Sequence, residues 1–358
     1  LCGRTARDSM RYEAVQNFYG HLLLPVTSEL LRETGVTFID KRIISGAKFC
    51  QTSIFRRAMP VSMVWAVTSK CTRKCRYCYL SGKMNKCNEQ DCIKLCEVAD
   101  IARECFRIGV KEITFTGGDP LMRKDIYEAI VLFTRYLIQV KVFTKMRLIE
   151  ERLMLLNKCN LLFCFSLDSH IPEVADDLAG YTGHYADMVY NFELCEKYNI
   201  PFSIHITVTA LNLEGICETL IWAQKFAPQS IEVAKYDTDY YYNPSLAIAS
   251  EVYQEMKEEC SDFCREHQYN VSFADAVDKM LSCDIGRSKM VFDYKGKVVY
   301  CDKLALSGYF GDLTKESILH VWNSEEYKSM NVNPKRAYFK DTVCEKCKYF
   351  FECISKTG

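Results

Sequence analysis

Net charge is the first thing this sequence lacks: Lys plus Arg and Asp plus Glu stand at 46 each. With no overall field, binding to nucleic acid or to an anionic membrane is not expected, although local patches stay open. Long apolar runs are missing too. None approaches the ~18 residues of a membrane span, and the N-terminus shows no charged-then-apolar signal pattern, so a cytoplasmic location is expected. No internal repeat and no low-complexity tract occurs, which sets aside repeat arrays and biased linkers. Disorder is excluded by the 49% hydrophobic content. Cysteine, by contrast, is abundant at 20 of 358 residues, in a chain far too long to be a small disulfide-stapled domain. In a reducing compartment, clustered thiols point to metal or redox chemistry, and scattered ones to burial.

From Pro60 the sequence alternates short apolar runs with longer helical ones, the pattern of repeated βα units on a parallel sheet. Candidate strands lie at 62–68, 112–117, 140–144, 161–168, 202–209 and 230–236, and their near-continuous Val, Ile, Phe and Leu content suits strands covered by helices. Asn88 is expected to cap a helix ending at Gly109, and Asn212 one that begins "LEGICETL". Six such units predict an α/β fold, a partial (β/α)6 TIM-like barrel with its active site at the C-terminal ends of the strands. Residues 1–59 read as an N-terminal helical extension, 60–275 as the barrel, and 276–358 as a small cysteine-rich domain opening with the hairpin-like "MVFDYKGKVVYCD".

The loop after the first strand, "SKCTRKCRYCYL", carries Cys71, Cys75 and Cys78 with no histidine near it. Three thiolates on a four-iron, four-sulfur cluster leave one iron open, whereas structural zinc wants a fourth side chain. This C-x3-C-x2-C spacing, with Tyr77 and Tyr79 beside the last cysteine, resembles the radical S-adenosylmethionine (SAM) enzymes. The resemblance implies that SAM chelates the open iron and is reductively cleaved to methionine and a 5'-deoxyadenosyl radical, which removes a hydrogen atom from substrate. Three further segments fit in order. "TGGDP" (Thr116, Gly117, Gly118, Asp119, Pro120) resembles the Gly-Gly-Glu-Pro motif that binds the SAM amino group, with Asp in place of Glu. Ser166 and Asp168 of "SLD", followed by "IPEVADDLAG", resemble the fourth-strand motif, and "HITVTALN" resembles the fifth-strand segment ending at Asn212. The third-strand motif departs, because "FTKM" stands where Thr-Asn-Gly is common, and Lys145 receives no role. The implied cofactor-binding set is Tyr77, Thr116, Gly117, Gly118, Asp119, Pro120, Ser166, Asp168 and Asn212.

Cys283 to Cys301, with Gly296 between them, fits the C-x(9 to 15)-G-x4-C pattern of the SPASM and twitch extensions, and "CEKCKYFFEC" adds Cys344, Cys347 and Cys353. Two all-cysteine clusters need about eight ligands. Five are present, and Thr357 stands where the full SPASM motif continues. One auxiliary [4Fe-4S] cluster of the twitch kind is therefore expected on Cys283, Cys301, Cys344 and Cys347, with Cys353 as an alternative ligand. Asp302 is a candidate general base by resemblance to SPASM enzymes, or a turn carboxylate. "KYDTDYYYNP" (235–244) is expected to meet substrate or the second domain. Cys92 with Cys96, and Cys260 with Cys264, would each share a helix face; these pairs and Cys50, Cys105, Cys159, Cys164, Cys195 and Cys217 read as buried thiols.

The resulting expectation is a radical SAM enzyme that modifies a ribosomally made peptide by cross-link, thioether or oxidation. A small molecule such as an amino sugar is the alternative substrate. A flavodoxin or ferredoxin would supply the electron. The reading from another class is a zinc-stapled binding protein without chemistry, since C-x2-C is also a zinc signal.

Overall fold

The computed structural model describes residues 57–81, 85, 88–156, 158–238, 243–274, 284–299, 301 and 309–332. The extension at 1–56, Asp302 and four of the C-terminal cysteines (Cys283, Cys344, Cys347 and Cys353) lie outside the described residues, as does Cys50.

All six expected strands form: β1 (Ser62–Thr68), β2 (Glu112–Gly117), β3 (Gln139–Thr144), β4 (Leu161–Ser166), β5 (Phe202–Val208) and β6 (Ser230–Lys235). They pair in parallel in chain order, and a further strand, β7 (Val271–Ala274), extends them beyond β6. At the other edge β8 (Lys289–Phe292) pairs parallel to β1 and begins an antiparallel meander with β9 (Lys297–Val299) and β10 (Gly311–Asp312). The curved sheet is thus an open, mostly parallel α/β barrel with a β-hairpin continuing one edge. The hairpin turn forms at the expected Lys-Gly step. Asp293 accepts from the backbone N–H of Lys295 and of Lys297, and Gly296 takes φ 79°, a left-handed conformation.

Helices α1 (Leu95–Ile108), α2 (Ile126–Arg135), α3 (Glu150–Leu153), α4 (Pro172–Ala179), α5 (His184–Lys197), α6 (Ile216–Ala223) and α7 (Ser250–Glu266) alternate with the strands. Helices α8 (Ile318–Asn323) and α9 (Glu325–Val332) follow the meander. On most strands one face is fully buried against this helix layer, with Met63, Trp65, Ile113, Phe115, Val140 and Val142 each at 0% exposure. Trp65 stacks on Phe292 at 5.7 Å and meets Phe115 edge-on at 5.1 Å, so the C-terminal strand β8 shares the barrel's core.

Among the described strands only β4 is buried along most of its length, its first five residues all lying inside. The other strands alternate, because their inner faces carry polar side chains that pair across the sheet. Lys141 meets Glu112 at 2.7 Å, and His205 lies 3.5 Å from Glu232.

Two expected helix starts shift. Asn88 caps only a turn of 3-10 helix (Glu89–Asp91), and α1 begins at Leu95, where the Glu97 carboxylate reaches back to accept the Lys94 N–H at 2.7 Å. The break allows Ile93 to bury under the hairpin, its N–H donating to the Tyr294 carbonyl at 2.9 Å. Cys92 and Cys96 therefore do not share one helix, and Cys96 is exposed rather than buried. Gly109 ends α1 as expected, at φ 82°. Past Asn212 a 3-10 turn precedes α6. Cys105, Cys164, Cys195 and Cys264 are buried thiols as expected, but Cys217 on α6 and Cys260 on α7 are joined as a disulfide, Cα to Cα 5.5 Å.

Candidate active site

Strand β1 ends at Thr68, and the thiol loop leaves from it over the C-terminal end of the sheet. Backbone bonds fix its first turn: Gly118 N–H to the Thr68 carbonyl at 2.7 Å, and Asp119 N–H to the Lys70 carbonyl at 2.8 Å. The glycine pair makes this approach possible. A Cβ on Gly117 would stand 2.3 Å from the Thr68 oxygen, and one on Gly118 2.2 Å from that of Lys70. The two glycines admit the loop's own backbone, which seats the thiols against the end of β2.

The second half of the loop rests on α4. Lys74 and Arg76 donate their N–H groups to the carbonyls of Ala179 (3.1 Å) and Leu178 (3.0 Å). Gly180, at φ 58°, lies so close that a Cβ would meet the Lys74 oxygen at 2.2 Å. Asp176 accepts from Gly183 N–H (2.6 Å) and Tyr185 N–H (2.8 Å), fixing the turn into α5. The "PEVADDLAG" segment is therefore the platform on which the thiol loop sits. Arg73, missed from sequence, adds a tie: it bonds the Lys145 carbonyl at 2.9 Å and Asp187 at 2.7 Å, and lies over the Tyr181 ring.

Cys71, Cys75 and Cys78 all line one cavity of about 270 Å³, with Tyr77, Thr116, Gly117, Gly118, Asp119 and Ser166. All three are free thiols. Burial pushes Cys71 up to about 12, helped by the Asp119 carboxylate, and Cys75 up to about 11, and raises Cys78 as well. Thiols held protonated in this way are poor nucleophiles and become strong ligands only when a cation displaces the proton. Among the described residues no three His, Cys, Asp or Glu side chains are grouped to hold a single metal ion. The loop itself supplies three thiols and no histidine, one ligand short of a four-coordinate structural zinc site, whereas three thiolates suit a sulfide-bridged cluster. Three soft donors around one cavity fit an iron-sulfur cluster with an open iron.

The other sequence-derived residues divide into two layers. Asp119 is buried, and both carboxylate oxygens are taken by its own chain: the Thr144 hydroxyl at 2.8 Å, Lys145 N–H at 2.8 Å and Leu121 N–H at 3.1 Å. Burial raises its pKa, against those bonds. Pro120, Asp168 and Asn212 are buried and do not line the cavity. Asp168 is 0% exposed; one oxygen accepts Thr207 N–H at 2.8 Å, and the other accepts the Tyr77 hydroxyl and the Lys145 ammonium, the latter at 3.1 Å. Asn212 donates to the carbonyls of Asp168 (2.6 Å) and Thr207 (2.9 Å) and accepts from Thr209 N–H (2.7 Å). It locks the ends of β4 and β5 together.

Lys145, left without a role by the sequence, lines the cavity beside the thiols. Its position just past β3 is the available signal, since catalytic side chains gather at strand C-termini in such folds. Burial works to lower its pKa, but the Asp168 carboxylate paired with it acts the other way and the net direction is up, so the ammonium stays charged. Lys235, Tyr236 and Asp237, from "KYDTDYYYNP", line the β6 side of the same cavity. Of the histidines, His184 is buried with its Nε2 3.1 Å from the Ser166 carbonyl, and burial drives it down to about 2. It is neutral near pH 7. His170 is held by Thr219, and His205 stacks near Phe143 inside the barrel.

Comparison with known proteins agrees with this geometry. The Radical SAM superfamily profile matches residues 65–223, and the profile of SPASM, an iron-sulfur cluster-binding domain, matches residues 283–348. A probable GTP 3',8-cyclase of Methanocella arvoryzae is 24% identical over 79% of this chain and 92% of its own. An AdoMet-dependent heme synthase of Methanosarcina barkeri is 23% identical over 83% and 92%. Among solved structures, Streptococcus suis SuiB bound to its precursor peptide SuiA superposes with a TM-score of 0.68 at 15% identity, covering 90% of this chain and 78% of that one. No helix among the described residues is long and apolar enough to cross a membrane. Thiol loop, glycine pair and open parallel barrel converge with these matches: residues 65–223 carry a radical SAM domain, and residues 283–348 match a SPASM-type iron-sulfur cluster-binding domain.

Proposed function

We propose that this enzyme holds a [4Fe-4S] cluster on Cys71, Cys75 and Cys78, binds SAM in the adjoining cavity and modifies a ribosomally made peptide. The observation that carries the reading is the single cavity shared by three free thiols and the Gly117–Gly118 strand end. When bound, the cluster and SAM together supply a 5'-deoxyadenosyl radical that removes a substrate hydrogen. The chain's own residues do the rest. The platform of α4 and the glycine pair fix the thiol loop, and Tyr77 is held by Asp168 and Lys145 against the cavity wall. Thr116, Gly117, Gly118, Asp119 and Ser166 line the cavity that would hold SAM, and Pro120, Asp168 and Asn212 would brace it.

Within the SPASM-type region we assign one auxiliary cluster to Cys283, Cys301, Cys344 and Cys347, with Cys353 as the alternative ligand, and Asp302 as the base that takes a substrate proton. A flavodoxin or ferredoxin is the electron donor. The peptide reading is supported by the fold shared with SuiB across 90% of this chain. Small-molecule chemistry is the second reading, favoured by the similarity to the GTP cyclase and heme synthase.

Anaerobic purification with iron and sulfide analysis tests the cofactor assignment: about eight irons per chain support two clusters, about four remove the auxiliary one, and zinc without iron refutes the reading. Incubation with SAM and a reductant should release 5'-deoxyadenosine, and a Cys71→Ala, Cys75→Ala, Cys78→Ala protein should release none. A candidate precursor peptide encoded beside the enzyme should lose hydrogen mass or gain a cross-link in that assay. A peptide that returns unchanged while a small molecule is consumed would overturn the peptide assignment.

A further inference from the structure

We infer that Lys145 raises the reduction potential of the cluster held by Cys71, Cys75 and Cys78, acting as a buried positioning charge rather than as a ligand of SAM. The inference rests on the function proposed above.

The ammonium has three protons to give, and three acceptors converge on it: the Tyr77 hydroxyl at 2.7 Å, an Asp168 carboxylate oxygen at 3.1 Å and the Ser166 carbonyl at 3.4 Å. A carboxylate from SAM would have to displace one of them. The lysine is thus anchored by the end of β4 and by the residue that lies between Cys75 and Cys78. Its side chain is 13% exposed and that of Asp168 0%, so solvent screens the charge weakly. The Asp168 carboxylate spreads its own charge over Lys145, Tyr77 and Thr207 N–H. Lys145 lines the same cavity as Cys75 and Cys78, so its charge stands beside the thiols that would hold the cluster. Arg73, the neighbouring cation, is engaged with Asp187 and the Lys145 carbonyl.

Reduction adds an electron to the cluster, and a fixed positive charge nearby favours the added negative charge. A neutral residue at position 145 lacks that contribution. A cluster with Lys145 therefore accepts its electron from a weaker reductant.

The test is a redox titration of reconstituted full-length protein, following the EPR signal that changes on adding SAM, together with SAM affinity by calorimetry. At the potential that half-reduces the wild-type cluster, Lys145→Met and Lys145→Asn should hold about tenfold less reduced cluster, with SAM affinity changed less than threefold. Lys145→Arg keeps the charge and should stay within about twofold of wild type. Asp168→Asn, which removes the opposing charge, should shift the potential the other way and carries the test if Lys145→Met fails to hold a cluster. An unchanged potential in Lys145→Met with SAM affinity lost more than tenfold makes Lys145 a SAM ligand and overturns the inference. So does Lys145→Arg shifting as far as Lys145→Met, which would assign the effect to packing. A wild-type protein that assembles no SAM-responsive cluster overturns the proposed function, and this inference with it.

Discussion

A methyl group at Gly180 should empty the site without touching a ligand. Gly180 ends α4 at φ 58°, and a Cβ there would stand 2.2 Å from the Lys74 carbonyl oxygen in the middle of the thiol loop. Ordinary contact begins near 3.4 Å, so Gly180→Ala must push the loop away by about 1 Å. That displacement strains two backbone hydrogen bonds, Lys74 N–H to Ala179 and Arg76 N–H to Leu178. Each is worth about 0.5–1.5 kcal/mol net, and alanine in the left-handed region adds about 1–2 kcal/mol. The exposed Arg76–Asp177 pair contributes little. The sum is roughly 2–5 kcal/mol, concentrated in the loop that carries Cys71, Cys75 and Cys78. Gly183 is the internal control. It also has positive φ, at 92°, but nothing lies within 4 Å of the point where a Cβ would stand, so Gly183→Ala meets the conformational cost alone, about 1–2 kcal/mol. The assay is iron per chain after anaerobic reconstitution, beside the melting temperature of each apoprotein. Gly180→Ala should lose most cluster loading and melt several degrees lower, whereas Gly183→Ala should load normally. Equal iron and equal melting temperatures in the two variants would refute the docking argument.

Asn212→Ala removes the clamp between β4 and β5, and each buried partner left behind costs about 1–3 kcal/mol; thermal stability should fall well before SAM affinity, and the reverse order would make Asn212 a direct contact. Opening the Cys217–Cys260 disulfide releases a loop of 43 residues, which by loop-closure entropy is worth up to roughly 4 kcal/mol. Alkylation of the denatured, unreduced protein should leave Cys217 and Cys260 unmodified, and dithiothreitol should lower the melting temperature of the apoprotein. Asp312 bonds Lys297 at 2.7 Å and the Thr314 hydroxyl, and although burial opposes ionisation, these partners hold its pKa down to about 2. A depressed carboxylate stabilises the fold above its unfolded pKa and loses that contribution as pH falls. The melting-temperature gap between wild type and Asp312→Asn should therefore close between about pH 4 and pH 2, and a gap that stays constant across that window would show that the charge is not responsible.

The strands are legible because their apolar runs are short, bounded and regularly spaced, and all six expected strands form. Strand β7 is not, because "VSFA" is only four residues long and half exposed. That β8 lies parallel to β1 cannot be read either. Local sequence announces a hairpin but says nothing about which distant edge it joins, and here the packing of Phe292 on Trp65 provides that information. At the site, residue types with few alternative uses are visible: three cysteines in one loop, and two adjacent glycines at a strand end. What the sequence hides is the object each one approaches. Gly117 and Gly118, expected in the cofactor-binding set, first admit the loop backbone; Asp119, expected in the same set, has its carboxylate engaged by Thr144, Lys145 and Leu121. Lys145 breaks a motif and so draws no role from it, although its charge is the property that makes the position informative. The Cys217–Cys260 pairing is invisible because proximity between α6 and α7 is a tertiary fact.

The division of labour inside the thiol loop leads to a last expectation. The loop is held at one end by Gly118 and Asp119 N–H groups, in the middle by Tyr77 on Asp168 and Lys145, and at the far side by α4. These ties use backbone atoms and the Tyr77 hydroxyl, the Arg73 side chain adds another on Lys145 and Asp187, and a sulfur enters only where Arg73 N–H reaches Cys71 Sγ at 3.4 Å. The sulfurs instead sit half-buried around the cavity, held protonated. Replacing all three with alanine removes a few partly buried atoms at a cavity rim, where collapse is easy and the cost is small, about 1 kcal/mol per site at most. The apo form of the triple variant should therefore match the circular dichroism of wild-type apoprotein and melt within a few degrees of it, while binding about four fewer irons. If the triple variant fails to fold, the thiols are structural and the loop owes its shape to them. If it folds and keeps its iron, the cluster lies elsewhere in the chain.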